Sequence, residues 1–372
     1  MVDGAARLLI SGYYGFDNFG DEAILRVFTD EWRRRRPADE LSVLSARPAL
    51  TRARYDVAAI ARADWRNVRT AVARCDVLVS GGGGLLQTAT SIRSAAYYAG
   101  IIREATRMRR RAAIFAQGIG PLNYVGRQIV KRFCAGAGLA VVRDSRSRDL
   151  LRSILPDLDV RIGADPVFLA SATVDPAAAT ALANEGIRAQ AGPIVAIVPR
   201  RGALLDRSID RLAALVDRLS TRHGAQVVFV PLQLPEDAEA STAVIRRCKS
   251  APVLLVGGYD LKAMTALVAA CSAVVSMRLH ALILAARLAV PFLAVPYDPK
   301  IGALVDELAY PMQPLARDDD GSAAADALWA QRSQLRDRLA LSAPALVERA
   351  RRAFDWLEEF VQGRPSAGEQ ES

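Results

Sequence analysis

The sequence predicts an α/β fold made of two Rossmann-like parallel-sheet domains facing a cleft. Short apolar runs alternate with amphipathic stretches at βα spacing, which implies parallel strands covered by helices on both faces. The alternation stops between about Ala170 and Gly192, a run rich in Ala, Thr and Asp without strand pattern, and then restarts. Glycine-rich or basic turns follow many of the apolar runs, and right-handed crossovers set such turns along one edge of each sheet. At 372 residues, with 51% hydrophobic and 24% charged side chains, the chain has material for two cores. The expected layout is a first domain over 1–172, a linker over 173–191 and a second domain over 192–342. A terminal helix over 343–362 is expected to pack back, followed by a disordered tail over 363–372.

The first strand is Arg7 to Tyr14, followed by the loop Gly15 to Gly20 and a helix from Ala23 towards Arg36. Asp21 and Glu22 at its start suit the positive end of the helix dipole. Gly12, Gly15 and Gly20 let a ligand approach backbone N–H groups there. The competing reading is a tight turn capped by Asn18 and Asp21. Strand-like runs at Leu41 to Ser45 and Val57 to Ala61 precede a helix from Trp65 to Cys75. Asp76 to Ser80 is a buried strand that ends in Gly81-Gly82-Gly83-Gly84, and Gln87 to Ser91 is polar. Consecutive glycines cost chain entropy, which a close backbone approach or a positive φ would justify. Such a turn feeding a helix is an anion site in one reading and a close helix–sheet crossing in the other. Ala112 to Gln117 is a strand ending in Gln117-Gly118-Ile119-Gly120-Pro121, with a helix from Arg127 to Ala137 after it. Leu139 to Val142 ends in Arg143-Asp144, and Val160 to Gly163 closes this half with Ala164-Asp165-Pro166.

In the second half, Pro193 to Val198 is a strand ending in Pro199-Arg200-Arg201-Gly202, with an amphipathic helix from Arg207 to His223. Strands at Val227 to Pro231 and Pro252 to Gly257 alternate with helices at Glu236 to Cys248 and Asp260 to Cys271, the last with Asp260 as N-cap. Ala273 to Ser276 is a buried strand that delivers Arg278 and His280 to its carboxyl end, with a helix from Leu282 to Leu288. Phe292 to Pro296 runs into Tyr297-Asp298-Pro299-Lys300. Asp318 to Ser322 is a solvated turn without EF-hand spacing. Helical periodicity from Pro344 to Val361 places the proline in a first turn.

Forty-nine basic against 40 acidic residues give a net charge of +9, which favours anionic partners. Arg33 to Arg36 and Arg107 to Arg111 are basic runs at helix ends; they read as solvated, dipole-matched ends or as contacts with anionic lipid. Nucleic acid is disfavoured, because the runs lack interleaved aromatic residues for base stacking. Four scattered cysteines without a CxxC pair point to reduced thiols and no structural zinc, so no metal is expected. Neither a signal-peptide core nor an apolar run of about 18 residues is seen, so a cytoplasmic protein is expected, with the inner face of the plasma membrane as a second expectation.

Arg278 and His280 form the sharpest constellation, a fixed cation beside a group that exchanges protons near neutrality. Of two histidines only this one stands at a strand end; the competing reading is that it caps or packs beneath its helix. Arg200, Arg201 and Lys300 add cations from other strand ends, a set suited to a small, multiply anionic ligand.

Ser11 to Phe16, Gly20-Asp21-Glu22, Ser80 to Gln87, Gln117 to Pro121, Arg143-Asp144, Ala164-Asp165-Pro166, Met277-Arg278-Leu279-His280-Ala281 and Tyr297-Asp298-Pro299-Lys300 follow in one order. Together they resemble the polysaccharide pyruvyl transferase family over about residues 8 to 310, closest to its CsaB-type bacterial branch. Two positions depart from the pattern: Asp17 where glycine is expected, and Gly84 where serine is common. The resemblance implies a GT-B-like fold, phosphoenolpyruvate as donor substrate without a further cofactor, and a pyruvate ketal on a sugar hydroxyl pair. For the CsaB-type branch it implies a lipid-linked, N-acetylmannosamine-containing cell-wall precursor whose polymer anchors surface-layer proteins. His280 is the catalytic residue it carries over, with Arg278 beside it. On that reading Arg278 with Arg200 or Arg201 holds the donor's anionic groups and Lys300 also binds substrate, while Asn18, Asp21, Gly82, Gly83, Gln87 and Gln117 bind substrate from the first, acceptor-side domain. A nucleotide-sugar-dependent GT-B glycosyltransferase and a non-catalytic envelope lipid-binding module are the alternatives.

Overall fold

A computed structural model describes residues 4–89, 91–187, 192–206, 208–255, 258–296, 298–316 and 318–363. Thr90, Arg207, Gly257, Tyr297, residues 188–191 of the expected linker and 364–372 of the expected tail lie outside the described residues. The chain divides into two compact units, Met1–Leu169 with Leu346–Ser372, and Ala170–Ala345.

The first unit alternates β1 (Arg7–Tyr14), α1 (Phe19–Arg35), β2 (Glu40–Ser45), α2 (Pro48–Tyr55), β3 (Ala58–Ala61), α3 (Trp65–Arg74) and β4 (Val77–Gly81). It continues with α4 (Ile92–Arg107), β5 (Arg111–Gln117), α5 (Tyr124–Cys134), β6 (Leu139–Val142), α6 (Ser145–Ile154) and β7 (Val160–Ile162). Its seven strands lie in the order β3-β2-β1-β4-β5-β6-β7, and the ladders are parallel. One face buries Leu9, Leu78 and Ile114 with Val72 of α3, Ile102 of α4, Val130 of α5 and Leu151 of α6. The other buries Leu8, Ile10 and Val79 with Phe28 and Trp32 of α1. Burial on both faces is why these strands read as unbroken apolar runs. Polar caps start the helices: Asn18 accepts from the backbone N of Gly20 and Asp21, and Asn123 from that of Gly126. Asn123 therefore starts α5 at Tyr124, ahead of the expected Arg127.

The second unit holds α7 (Pro176–Asn184), β8 (Ile194–Val198), α8 (Ala203–Asp206), α9 (Ile209–Thr221), β9 (Gln226–Phe229), α10 (Glu236–Ile245) and β10 (Val253–Leu254). Then come α11 (Leu261–Ala270), β11 (Cys271–Ser276), α12 (Leu279–Arg287), β12 (Phe292–Ala294), α13 (Pro299–Glu307) and α14 (Gly321–Ala330). Its five parallel strands follow the order β10-β9-β8-β11-β12. The stretch read as a linker contains α7, capped by Asp175, as part of this unit. Asp260 caps α11 through the backbone N of Ala263, as its position suggests.

The last helix, α15 (Arg332–Gln362), starts well before Pro344, which lies inside it rather than in a first turn. A proline there removes one backbone donor, a local defect that the packing of the flanking turns outweighs. From Leu346 onward the helix belongs to the first unit, where Ala353, Phe354, Leu357 and Val361 join the α1 side of the core.

Candidate functional site

In a doubly wound sheet, ligands bind outside the carboxyl ends of strands where the strand order reverses. That point lies between β8 and β11 in the second unit and between β1 and β4 in the first.

In the second unit the reversal brings Arg200 and Arg278 to neighbouring strand ends, and the backbone N of Arg200 lies 3.4 Å from Met277 Sδ. Helix α12 begins at Leu279, not at the expected Leu282, so His280 sits half-buried in its first turn. The early start follows from Arg278, whose extended backbone is fixed through Ser276 Oγ, 2.8 Å from its N–H and 2.9 Å from its carbonyl. The Arg278 side chain turns to a partner the sequence reading missed. Its Nε donates to Asp237 Oδ2 at 2.9 Å and its Nη2 to Asp237 Oδ1 at 2.5 Å. Nη2 also donates to Gln233 Oε1 at 3.2 Å. Asp237 has no solvent exposure, and its Oδ2 also accepts from the backbone N of Leu232 and Gln233 at 3.2 and 3.0 Å. The bidentate edge expected to clamp a ligand anion is thus occupied by the protein's own carboxylate.

The other expected cations separate. Arg201 is exposed and ion-paired with Glu239, which makes it a surface charge. Arg200 is half-buried at the β8 end. Lys300 stands in the first turn of α13, where Asp298 caps the helix by accepting from the Lys300 N–H at 2.9 Å.

In the first unit the glycines are explained largely by packing. Gly82 and Gly83 hold φ of +80° and +63°, and a Cβ on them would come within 2.8 Å of Ile24 Cγ2 and 2.4 Å of Asp21 Oδ1. A Cβ at Gly12 would meet the Tyr14 ring at 2.3 Å. The N–H of Gly82 is bonded to the Phe115 carbonyl at 3.0 Å. The close helix–sheet crossing accounts for this turn, with Asp21 set against Gly83 and Asn18 engaged as the α1 cap. Gln87 is half-buried between β4 and α4. Asp17 takes φ +53°, the left-handed geometry of the glycine expected there, which a short acidic side chain tolerates. Arg47 and Arg54 bind its carboxylate.

Gln117 is different. A register shift with Ala116 at φ +52° lets its amide reach across to β4, where Nε2 donates to Ser80 O at 2.7 Å and to Ser80 Oγ at 3.0 Å. Its Oε1 and the hydroxyl of Ser11, which pairs with Ser80 across the ladder, are buried without a hydrogen-bond partner among the described residues. Buried polar atoms are normally satisfied, so these two at the strand reversal are suited to a ligand's hydroxyl or amide. Farther along this edge Arg143 and Asp165 form a buried ion pair.

The arginine runs serve the fold. Arg34 and Arg35 pair with Glu31, Arg35 also with Asp355, and Arg36 with Asp39. Arg107 pairs with Glu104, and Arg111 donates to the carbonyls of Phe360 and Val361 at 2.7 and 2.8 Å. Burial pushes the thiols of Cys134 and Cys271 up to about 12, leaving them protonated. Among the described residues no group of three or more His, Cys, Asp or Glu is arranged to hold a metal ion, and no helix is long and apolar enough to cross a membrane.

The architecture has known counterparts. The S. aureus MnaA–UDP co-structure is similar with a TM-score of 0.68 at 10% identity, covering 97% of this chain and 99% of that one. A glycosyltransferase from Rickettsia africae ESF-5 gives 0.65 at 9% identity, with 97% and 99% coverage. A UDP-GlcNAc 2-epimerase from Neisseria meningitidis bound to UDP-GlcNAc gives 0.62 at 10% identity, with 95% and 100%. At such identities the likeness shows the fold, which is that of the GT-B-like enzymes. No curated protein sequence matches the chain. The family model described as Polysaccharide pyruvyl transferase, in contrast, matches residues 18–299, and with motifs at both strand reversals inside that span the chain belongs to the polysaccharide pyruvyl transferase family.

Proposed function

We propose that this transferase moves pyruvate from phosphoenolpyruvate to a pair of sugar hydroxyls, closing a cyclic ketal and releasing phosphate. The observation that carries the reading is the set of side chains at the second unit's strand ends: Arg278 and His280 after β11, Arg200 after β8 and Lys300 after β12. Ketal formation needs a proton at C3 of the enol while one hydroxyl oxygen bonds to C2. The second hydroxyl oxygen then bonds to C2 as the C2–O bond to phosphate breaks; of the two hydroxyl protons released, one offsets the proton given to C3 and the other leaves with phosphate. A proton donor and a fixed clamp for carboxylate and phosphate are the groups this chemistry requires. His280 is the proton donor in this reading. Arg200, Arg278 and Lys300 hold the donor's anionic groups. Within the first unit, Ser11, Ser80 and Gln117 form a buried neutral polar cluster of the kind that pairs with a sugar's hydroxyls or acetamido group.

The finer assignment makes the acceptor a lipid-linked, N-acetylmannosamine-containing cell-wall precursor, used at the inner face of the plasma membrane. Its support is the resemblance of the motif series to the CsaB-type branch. The full chain, given phosphoenolpyruvate and a panel of lipid-linked amino-sugar acceptors, should release phosphate and form an acid-labile ketal. The His280→Gln variant should be slower by about 100-fold or more. Nucleotide release from nucleotide-sugars, with no phosphate release from phosphoenolpyruvate, would replace this reading by a glycosyltransferase. Unchanged turnover in a folded His280→Gln variant would remove the histidine's role.

A further inference from the structure

We propose that Asp237 is a positioning residue that locks the Arg278 guanidinium by its Nε–Nη2 edge, so that the arginine meets the donor through Nη1 alone. The proposal rests on the reading that the second unit's edge binds an anionic donor.

A guanidinium has five N–H donors in a planar fork. At Arg278, Nε and one Nη2 hydrogen go to Asp237, and the other Nη2 hydrogen points to Gln233 Oε1. Nη1 makes no hydrogen bond to a described residue. Both ends of the side chain are therefore fixed: Ser276 Oγ clamps the backbone and Asp237 the guanidinium. Asp237 is itself held by two backbone N–H groups and is fully buried, while the Arg278 side chain keeps 13% of its exposure. Nη1 is the guanidinium nitrogen left without a hydrogen bond to a described residue.

This arrangement changes what Arg278 can do. With a carboxylate on its longer edge, the guanidinium is close to charge-neutral and cannot take a carboxylate or phosphate bidentately. It becomes a directional donor of two N–H bonds from one nitrogen. A buried ion pair is weak support for stability, since apolar side chains of equal volume often serve as well. Its geometric product, an oriented Nη1, is the role assigned here. The β9–α10 loop, which carries Gln233 and opens α10 with Asp237, thereby becomes a third contributor to the site beside the ends of β8 and β11.

The test follows the Nε–H resonance of Arg278 by NMR in the full chain, together with phosphoenolpyruvate binding and turnover. In the unaltered protein this proton should exchange slowly and shift when phosphoenolpyruvate, or inorganic phosphate as a plain anion probe, is added. Asp237→Asn should abolish the protection, weaken phosphoenolpyruvate binding and lower kcat/KM on the order of 100-fold, as a misplaced contact does. Gln233→Ala should cost roughly tenfold. Arg278→Lys should cost as much as Asp237→Asn, and the pair together little more than either, because both remove one oriented group. Asp237→Glu should recover part of the loss if orientation is the cause, whereas a purely structural role would move thermal stability and leave the KM-to-kcat balance unchanged. The proposal is overturned if folded Asp237→Asn binds and turns over phosphoenolpyruvate within about twofold of the unaltered protein. It is equally overturned if no anion disturbs the Arg278 resonance. Should anions bind through Arg278 while phosphoenolpyruvate yields no phosphate, the transferase reading fails and the positioning role stands.

Discussion

Gly83 holds φ +63°, and a Cβ there would stand 2.4 Å from Asp21 Oδ1. Two costs would add in a Gly83→Ala variant, the left-handed backbone, about 1–2 kcal/mol for an L residue, and the displacement of the carboxylate. Denaturant unfolding should show both. Shortening the neighbour in Gly83→Ala/Asp21→Ala should return the steric part and leave the conformational part, a non-additivity of roughly 0.5 kcal/mol or more. A Gly83→Ala cost that Asp21→Ala does not reduce would mean that the turn does not press on α1. The same residues explain why the sequence left this loop undecided. Consecutive glycines report that the backbone is crowded or left-handed, but not whether the crowding atom belongs to the protein or to a ligand.

At the ends of two elements, Cys134 closing α5 and Cys271 opening β11, burial pushes the thiols up to about 12. In the unfolded chain a thiol titrates near 8.5, roughly. The folded value is raised, so the contribution is fully present below the unfolded value and lost as pH rises towards the folded one. Above about pH 8.5 the unfolded chain releases protons that the folded chain retains, and each thiol lowers stability by up to about 1.4 kcal/mol per pH unit. Denaturant unfolding at pH 8 and pH 10 should therefore differ less in Cys134→Ala and in Cys271→Ala than in the unaltered chain. Equal differences in all three would mean that other groups set the alkaline limit. At this scale most of the fold was legible in the sequence. Apolar runs marked the buried strands, and Asp260 marked a helix start. What stayed hidden was contact across sequence: Asp237 lies 41 positions from Arg278, and an acid in a first helical turn looks like ordinary dipole matching. Pro344 misled for a related reason, since a local preference placed it in a first turn while packing on both sides carried the helix through it.

The first unit takes from α15, Leu346 onward, a layer that residues 4–169 lack. Phe354 sits with its ring centroid 5.0 Å from that of Phe115 and 5.6 Å from that of Phe28, with the Arg35 guanidinium over it at 5.6 Å. Arg349 donates to the Gly163 carbonyl at 2.6 Å and to that of Arg143 at 3.1 Å. Gly138 and Gly163 leave room for this helix: a Cβ on them would stand 2.8 Å from the Phe360 ring and 2.8 Å from Val141 Cγ1, with Ala353 Cβ at 2.9 Å. Phe354→Ala should thus cost the first unit about 3–5 kcal/mol. Three of the four tryptophans, Trp32, Trp65 and Trp356, lie in the first unit and Trp329 in the second, so fluorescence can follow them separately. In a chain keeping only Trp329, the denaturant midpoint should stay where it is after Phe354→Ala. In a chain lacking Trp329, the midpoint should fall. If both midpoints fall together, the two units unfold as one cooperative body, and a lesion in the first would then disturb Arg200, Arg278 and His280 as well. If only the first falls, phosphoenolpyruvate should still shift the Arg278 resonance under conditions that have already melted the unit carrying Ser11, Ser80 and Gln117.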